Sequence, residues 1–287
     1  MPLNTTVTSA SRTVIMAPER PFVLIGERIN PTGRSRLAAE MAAGDLSRVR
    51  ADAVTQAAAG AHILDVNAGV PGGDEPALLV AVVQAVTAAC DLPLCLDSAN
   101  PEALEAALSV YGGKALINST TGEEAALDRL LPLARRHGAA IICLCCDERG
   151  PSPNPLVRLD IARRIVARAA HYGVPVEDLV MDPLVMAVSA DTSAGPATLE
   201  TIRLLRAELG VNMTCGASNV SFGLPDRPAL NAAFLAMAMA CGLNSAITNP
   251  LDPALRTAIL AGDLLLGRDD YASRWIKDYR RRKAAAM

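Results

Sequence analysis

Short hydrophobic runs recur along the chain, and each is followed by a longer stretch with the spacing of an amphipathic helix. The runs occupy residues 22–26, 62–66, 93–97, 114–118, 139–145, 178–182, 212–218 and 244–249. Their continuous apolar character is typical of parallel strands that are buried on both faces, and it differs from the alternation of half-exposed strands. The pattern therefore predicts eight strands that alternate with helices.

Helix start and stop residues fall where this alternation requires them. Asn100 is a capping residue and Pro101 a first-turn residue for the helix "PEALEAALSVY", because each suits that position better than a helix interior. Glycine favours the left-handed conformation that ends many helices. The glycines that end four successive predicted helices are Gly138, Gly173, Gly210 and Gly242.

Eight strand–helix units in 287 residues are what a closed (β/α)8 barrel requires. We therefore predict an α/β protein with a single (β/α)8 TIM barrel at residues 21–287. A short disordered or extended N-terminal tail precedes it at residues 1–20, and a helical extension follows it at the C-terminus. An open doubly wound sheet is the competing architecture, but "GERINPTGR" at residues 26–34 lacks the G-x-G-x-x-G turn of that fold.

Composition and charge limit the kinds of partner. The net charge is −3 and the basic residues are scattered, which argues against a nucleic acid or an anionic membrane surface and favours a small molecule. No segment resembles a secretory signal or reaches the length of a membrane span, so we expect a cytoplasmic protein. Its seven cysteines lie mostly in apolar runs, which is typical of reduced, buried thiols.

The residue types most often used as nucleophiles and metal ligands are poorly placed here. In "CLCC", strand alternation sends Cys143 and Cys145 to one face and Cys146 to the other, so we predict no metal site. His62 begins a strand on the lower rim, and two further histidines end helices, so we expect all three to be solvated terminal residues. Those two are His137 and His171.

Polar side chains stand instead at the carboxyl ends of seven predicted strands, on the rim that carries the active site in such barrels. Any one Asp or Asn there can be a helix cap, but seven strands together indicate one binding surface. Carboxylates and carboxamides suit a flat heterocycle edged with donors and acceptors, such as the 2-amino-4-oxopyrimidine of a pterin. The rim residues are Glu27, Asn30, Asp65, Asn67, Asp97, Ser98, Asn118, Ser119, Thr120, Asp182, Ser218, Asn219 and Asn249.

Longer motifs around these residues resemble the pterin-binding methyltransferase family. The family includes methyltetrahydrofolate:corrinoid methyltransferases and the folate domain of cobalamin-dependent methionine synthase. The motifs are "GERINPTG", "LDVNAG", "CLDSANPEALEAAL", "INSTTGEE", "MDPL" and the long stretch that begins "GASNVSFGLPDRP". The resemblance implies a homodimeric barrel that moves a methyl group between N5 of tetrahydrofolate and the cobalt of a corrinoid such as cobalamin.

The same resemblance implies roles for individual residues. Asp97, Asn118 and Asp182 match positions that hold the pterin ring, and Asn219 matches an asparagine whose side chain engages the methyl-bearing N5. We expect Asn219 to stabilise protonated N5 by hydrogen bonding. Asn219 and Asp97 are therefore the candidate catalytic residues. Less sharply assigned pocket positions are matched by Glu27, Asn30, Asp65, Asn67, Ser218, Arg227 and Asn249. Phe222 departs from the glutamine that some corrinoid methyltransferases carry.

The chain has no D-x-H-x-x-G cobalamin motif, which implies that the corrinoid is carried by a separate corrinoid or corrinoid iron–sulfur protein. The direction of transfer is left open. Two alternatives also remain. A dihydropteroate synthase would be expected to carry an "NxTPDSF" type of first loop and a late R-x-H pair, and this chain has neither. A non-catalytic folate-binding subunit is compatible with the same motifs.

Overall fold

The structure is a computed structural model that describes residues 3–285. A hairpin of two strands, β1 (Thr5–Thr8) and β2 (Thr13–Met16), comes first. Eight strands follow, namely β3 (Val23–Ile29), β4 (Ile63–Asn67), β5 (Leu94–Asp97), β6 (Leu116–Thr120), β7 (Ala140–Leu144), β8 (Leu179–Asp182), β9 (Asn212–Met213) and β10 (Ser245–Thr248). They are parallel and pair in the order β10-β3-β4-β5-β6-β7-β8-β9.

The two ends of this sheet meet and form a barrel. The Ile247 amide donates to the carbonyl of Cys215 at 2.8 Å, and Gly216 forms a parallel bridge with Ile247. The predicted (β/α)8 TIM barrel is therefore confirmed. The seventh barrel strand, β9, is shorter than its apolar run because the chain turns into a 3-10 helix at Ala217–Ser221.

Ten α-helices surround the barrel in the described residues. They are α1 (Ser35–Ala42), α2 (Ser47–Ala59), α3 (Glu75–Ala89), α4 (Pro101–Val110), α5 (Glu124–His137), α6 (Pro155–His171), α7 (Ala194–Glu208), α8 (Arg227–Cys241), α9 (Pro253–Leu265) and α10 (Ser273–Ala285). The Asn100 side chain accepts the Glu102 amide at 2.9 Å, and Gly138 ends α5 with a φ of 61°, as their sequence positions indicated. The C-terminal extension is the helix α10.

The N-terminal segment is extended, which is one of the two states predicted for it, and its hairpin packs against the lower end of the barrel. Val7 and Met16 are fully buried in the cluster inside the barrel. The Asn212 side chain donates to Thr5 Oγ1 at 2.9 Å and to the Met16 carbonyl at 2.9 Å. The hairpin therefore fills the end of the barrel opposite to the polar rim.

The prediction that all histidines are solvated is wrong for His62. Its Nδ1 accepts the Leu24 amide at 2.9 Å, and burial, together with the charge of Arg274, lowers its pKa to about 4. It is therefore a neutral side chain at the lower rim, where residues of α9 and α10 lie beside it. His137 contacts Glu105 at 3.0 Å, and His171 is exposed.

All seven cysteines are free thiols. Cys143 and Cys145 are fully buried while Cys146 is partly exposed, as strand alternation indicated. Within residues 3–285, no group of three or more His, Cys, Asp or Glu side chains is placed to hold a metal ion. No helix in the same range is both long and apolar enough to cross a membrane.

Candidate functional site

A cavity of about 570 Å³ lies at the carboxyl ends of the barrel strands. Each of the eight strands, or the loop directly after it, contributes to the lining. Eight of the rim residues predicted from the sequence face it together, namely Glu27, Asn30, Asp65, Asp97, Asn118, Ser119, Asp182 and Asn219. The other lining residues are Arg28, Thr32, Gly33, Arg34, Leu144, Gly216 and Ile247.

An irregularity at the end of β3 places two charged residues in this cavity. The pairing of β3 with β4 shifts register between Gly26 and Ile29, so both Glu27 and Arg28 line the hollow. The Arg28 amide donates to Gln56 Oε1 at 2.9 Å. A Cβ atom on Gly26 would lie 2.5 Å from the same oxygen, which explains why glycine begins the motif "GERINPTGR".

Two asparagines orient the acidic side chains at the centre of the site. Asn118 Nδ2 donates to Asp65 Oδ1 at 3.0 Å, and Asn67 Nδ2 donates to Asp97 Oδ2 at 3.0 Å. The strand register makes this possible, since Asn67 pairs with Asp97 and Asp97 pairs with Asn118. Each amide uses a donor on a carboxylate and leaves other acceptor positions of that carboxylate open to a ligand.

The acids of the cavity hold their protons more strongly than exposed carboxyls do. Burial, followed by the charge of Asp97, raises the pKa of Asp65. Burial also raises the pKa of Asp97, against the opposing effect of its bond from Asn67. Burial raises the pKa of Asp182 to about 6, although its Oδ1 accepts the Leu184 amide at 2.8 Å. A ligand that donates N–H groups would therefore stabilise the ionised forms that burial disfavours.

Glu27 completes the acidic lining. Burial raises its pKa, and Ser218 together with the charges of Arg28 and Arg227 partly offsets that effect. The Ser218 hydroxyl lies 3.4 Å from Glu27 Oε1. Ser218 is therefore a support for Glu27, since it does not itself line the cavity.

Asn219 stands at the opposite side of the hollow from the carboxylates of β4 and β5, on the 3-10 helix Ala217–Ser221. Gly216 gives it room, because a Cβ atom there would lie 3.1 Å from Asn219 Nδ2. Within the described part of the chain, the Asn219 side chain makes no hydrogen bond, and the residue is exposed. Its donor and acceptor are both available to a ligand in the cavity.

Five other predicted residues do not line the cavity, namely Asn67, Ser98, Thr120, Arg227 and Asn249. The side chain of Asn67 donates to the Asp97 carboxylate at 3.0 Å. Arg227 donates to the Ser218 carbonyl at 2.8 Å and to Ser221 Oγ at 3.0 Å, and its guanidinium lies 5.9 Å from the Phe222 ring centroid. Asn249 Oδ1 accepts the Leu251 amide at 3.1 Å in the turn before α9.

Two charged lining residues that strand-end reasoning missed are Arg28 and Arg34. Arg28 and Arg34 belong to a motif singled out for its charges, but a regular strand would direct residues 27 and 28 to opposite faces. The register shift after Gly26 directs both inward. Pro31 and Gly33 in "GERINPTGR" indicated an irregular turn, and this was the signal in the sequence that could have predicted the inward direction of both side chains.

Comparisons with known proteins agree with this geometry. Residues 26–249 match the family described as pterin binding enzyme. The chain is 31% identical over 270 residues to the methylcorrinoid:tetrahydrofolate methyltransferase of Eubacterium limosum, covering 91% of this chain and 97% of that one. It is 31% identical over 256 residues to the methionine synthase of Mycobacterium tuberculosis, covering 85% of this chain but 22% of that larger protein.

Solved structures of dihydropteroate synthases share the fold. The Thermus thermophilus enzyme has a TM-score of 0.65 at 22% identity, with 91% of this chain and 99% of that chain covered. The Xanthomonas albilineans enzyme has a TM-score of 0.64 at 21% identity, with 91% and 98% covered. At this identity the likeness concerns the fold alone. The match over residues 26–249 and the relative that is similar over nearly its full length establish that the chain belongs to the pterin-binding enzyme family.

Proposed function

We propose that this protein is a methyltransferase that moves a methyl group between N5 of tetrahydrofolate and the cobalt of a corrinoid on a separate protein. The observation that carries the proposal is the convergence of Asp97, Asn118, Asp182 and Asn219 on one cavity at the strand ends. The name of the Eubacterium limosum relative, which pairs a methylcorrinoid with tetrahydrofolate, supports the same chemistry here.

In this proposal the acidic side of the cavity holds the edge of the pterin ring. The Leu184 amide donates to Asp182 Oδ1. Asp182 Oδ2 therefore has acceptor positions for the N–H groups of the pterin ring and its exocyclic amine. Asp97 is oriented by Asn67 and Asn118 is oriented by Asp65, so both approach the ring in fixed positions. Such pre-orientation places the methyl-bearing nitrogen for in-line attack.

Asn219 acts on the leaving group. Methyl transfer breaks the N5–methyl bond with its electron pair passing to N5, and protonated N5 accepts that pair far better than the neutral amine. The corrinoid supplies the electron pair for the new carbon–cobalt bond when its cobalt is Co(I). The free side chain of Asn219 stabilises the N5 proton by hydrogen bonding in a site preorganised for it. Reversal of the same steps methylates tetrahydrofolate, so either direction is compatible with this cavity.

The proposal includes a separate corrinoid-binding protein that docks over the open rim, a homodimeric enzyme and a cytoplasmic location. The first is supported by the relative from Eubacterium limosum, which is named for a methylcorrinoid and is covered over 97% of its length, and the second by the family resemblance. The seven free thiols support a reducing compartment. Sedimentation of the purified protein tests the dimer, and a monomer at micromolar concentration would contradict it.

The decisive assay mixes the purified protein with 5-methyltetrahydrofolate and cob(I)alamin and follows the Co(I) absorbance. We expect enzyme-dependent loss of the Co(I) band and formation of methylcobalamin. Binding of the folate without any loss of that band would favour the non-catalytic folate-binding subunit. Pyrophosphate release from a pterin pyrophosphate and an aryl amine, in a coupled assay, would favour a dihydropteroate synthase.

A further inference from the structure

A second hollow, of about 270 Å³, lies at the opposite end of the barrel from the candidate site, where β3 and β4 begin. Its lining combines aliphatic side chains with basic ones. The aliphatic residues include Leu24, Ile259 and Leu260, and the charged residues are Arg256, Arg274, Lys277, Asp278 and Arg281. Such a lining suits a molecule that has both an anionic group and an apolar part.

Helix α10 supplies most of the charge in this hollow. It carries six basic residues and one acidic residue, although the net charge of the whole chain is −3. Arg274, Lys277 and Arg281 of this helix line the hollow together, because residues three and four positions apart share one face of a helix. The helix α10 is therefore an exception to the scattered distribution of basic residues that the sequence indicated.

Asp278 is the one acidic residue in the lining, and three arginines share it. Its Oδ1 lies 2.7 Å from Arg256 Nη2 and 3.1 Å from Arg281 Nη2. Its Oδ2 lies 2.8 Å from Arg282 Nε. Lys277 is exposed and forms no ion pair within residues 3–285. A single carboxylate balances only one of these positive charges, so the hollow keeps an excess of positive charge.

His62 adds a hydrogen-bond donor to the same hollow. Its Nδ1 accepts the Leu24 amide, so the proton of the neutral imidazole lies on Nε2. Among residues 3–285, this Nε2 has no hydrogen-bond acceptor. Burial is the main cause of the low pKa of His62, and the charge of Arg274 lowers the pKa further, although Arg274 pairs with Asp263 at 2.6 Å. The imidazole therefore experiences a positive field that a bound anion would offset.

We infer that this hollow binds a small organic phosphate, whose phosphate group contacts the basic side chains of α10 and Nε2 of His62, and whose apolar part packs against the aliphatic lining. A phosphate monoester carries a charge of about −1.5 to −2 near pH 7 and has three strong acceptor oxygens. It can therefore accept hydrogen bonds from several of these donors at once. The hollow and the folate cavity lie at opposite ends of the barrel, so this is a second ligand site.

The test compares four probes that vary one property at a time: phenyl phosphate, benzoate, benzyl alcohol and inorganic phosphate. Each is titrated into the wild type while the imidazole Cε1–H signals are followed by NMR. The chain has three histidines, and the signal of His62 is identified by its loss in His62→Gln. His137 and His171 end α5 and α6 and do not line the hollow, so their signals are internal controls.

We expect phenyl phosphate to shift the His62 signal in a saturable way and to leave the other two signals in place. Benzoate should bind about fivefold more weakly or worse, because it offers one negative charge and two acceptor oxygens. Inorganic phosphate should bind about tenfold more weakly, because it has no apolar part to bury. Benzyl alcohol, which has no charge, should leave all three signals unchanged at millimolar concentration.

Two charge reversals on α10 separate the hollow from the general charge of the helix. Lys277→Glu changes a residue that lines the hollow, whereas Arg280→Glu changes an exposed residue of the same helix that does not. Both variants change the net charge equally. Lys277→Glu should raise the Kd for phenyl phosphate about five- to thirtyfold. Arg280→Glu should raise it less than about twofold in physiological salt, because screening weakens charges outside the hollow.

Four results would overturn the inference. The His62 signal could stay in place at saturating phenyl phosphate, or all three histidine signals could move together, which would indicate general anion binding. The two charge reversals could weaken binding equally, which would make the effect one of overall charge. Equal affinities for phenyl phosphate and inorganic phosphate would exclude an organic ligand.

Discussion

Replacement of Asp182 by asparagine separates binding of the pterin from stability of the fold. The substitution keeps the size of the side chain and an oxygen that can accept the Leu184 amide, but it removes the negative charge. If Asp182 accepts two N–H groups of the pterin, the ligand loses charge-assisted hydrogen bonds. A loss of about 2–3 kcal/mol is expected, so the Kd for tetrahydrofolate should rise about 30- to 150-fold.

The stability of the protein should move in the opposite direction. Burial raises the pKa of Asp182 from 3.8 to about 6, so its charged form destabilises the fold above that pH, and the cost disappears as the pH falls through about 6 to 4. The shift corresponds to at most about 3 kcal/mol at pH 7. Asp182→Asn should therefore unfold at an equal or higher urea concentration than the wild type.

The pH dependence of binding provides a second readout. The ligand requires ionised Asp182, so the wild-type Kd should rise about tenfold between pH 7 and pH 5, while the variant should lose this dependence on Asp182. Calorimetric titration with tetrahydrofolate measures both. Asp191→Asn is the control, because Asp191 is an exposed residue after β8 whose carboxylate, among residues 3–285, accepts hydrogen bonds only from Ser193. Wild-type affinity in Asp182→Asn would refute the assignment of Asp182 to the ring.

Two further substitutions test other parts of the structure. Asn219→Ala should keep the Kd for tetrahydrofolate within about threefold but slow methyl transfer by about a hundredfold or more; unchanged turnover in stopped-flow measurements would remove Asn219 from the mechanism. Met16→Ala should lower the free energy of unfolding by about 2–5 kcal/mol, since Met16 is fully buried, without changing methyl transfer per folded molecule. A loss below about 1 kcal/mol in urea denaturation would show that the hairpin contributes little to the barrel.

The sequence predicted the barrel well because most of its strands lie in largely apolar runs that are followed by helices with recognisable ends. The N-terminal hairpin was harder to predict, since "TTVT" and "TVIM" are four-residue strands with several polar positions. Their apolar side chains become core residues only when the barrel supplies a surface, as it does for Val7 and Met16. Local pattern alone therefore left this segment extended or disordered.

The sequence was sufficient to predict which strand ends form the candidate site. Polar residues at those ends converge because parallel strands bring their carboxyl termini to one rim. Side-chain direction was not predictable to the same degree. Asn67 lies at the carboxyl end of β4, as predicted. Because it pairs with Asp97 of β5, its side chain donates to that carboxylate and does not line the cavity. Arg28 lines the cavity because the pairing of β3 with β4 shifts register after Gly26. At this shift the Arg28 amide donates to Gln56, which lies 28 positions later in the chain.

The most direct measurement is a crystal structure of the protein with bound 5-methyltetrahydrofolate. We expect the pyrimidine edge of the ring to contact Asp97, Asn118 and Asp182, with N5 within hydrogen-bond distance of Asn219. A ring bound elsewhere, for example in the hollow of about 270 Å³ beside His62 and α10 at the lower end of the barrel, would contradict the proposed site.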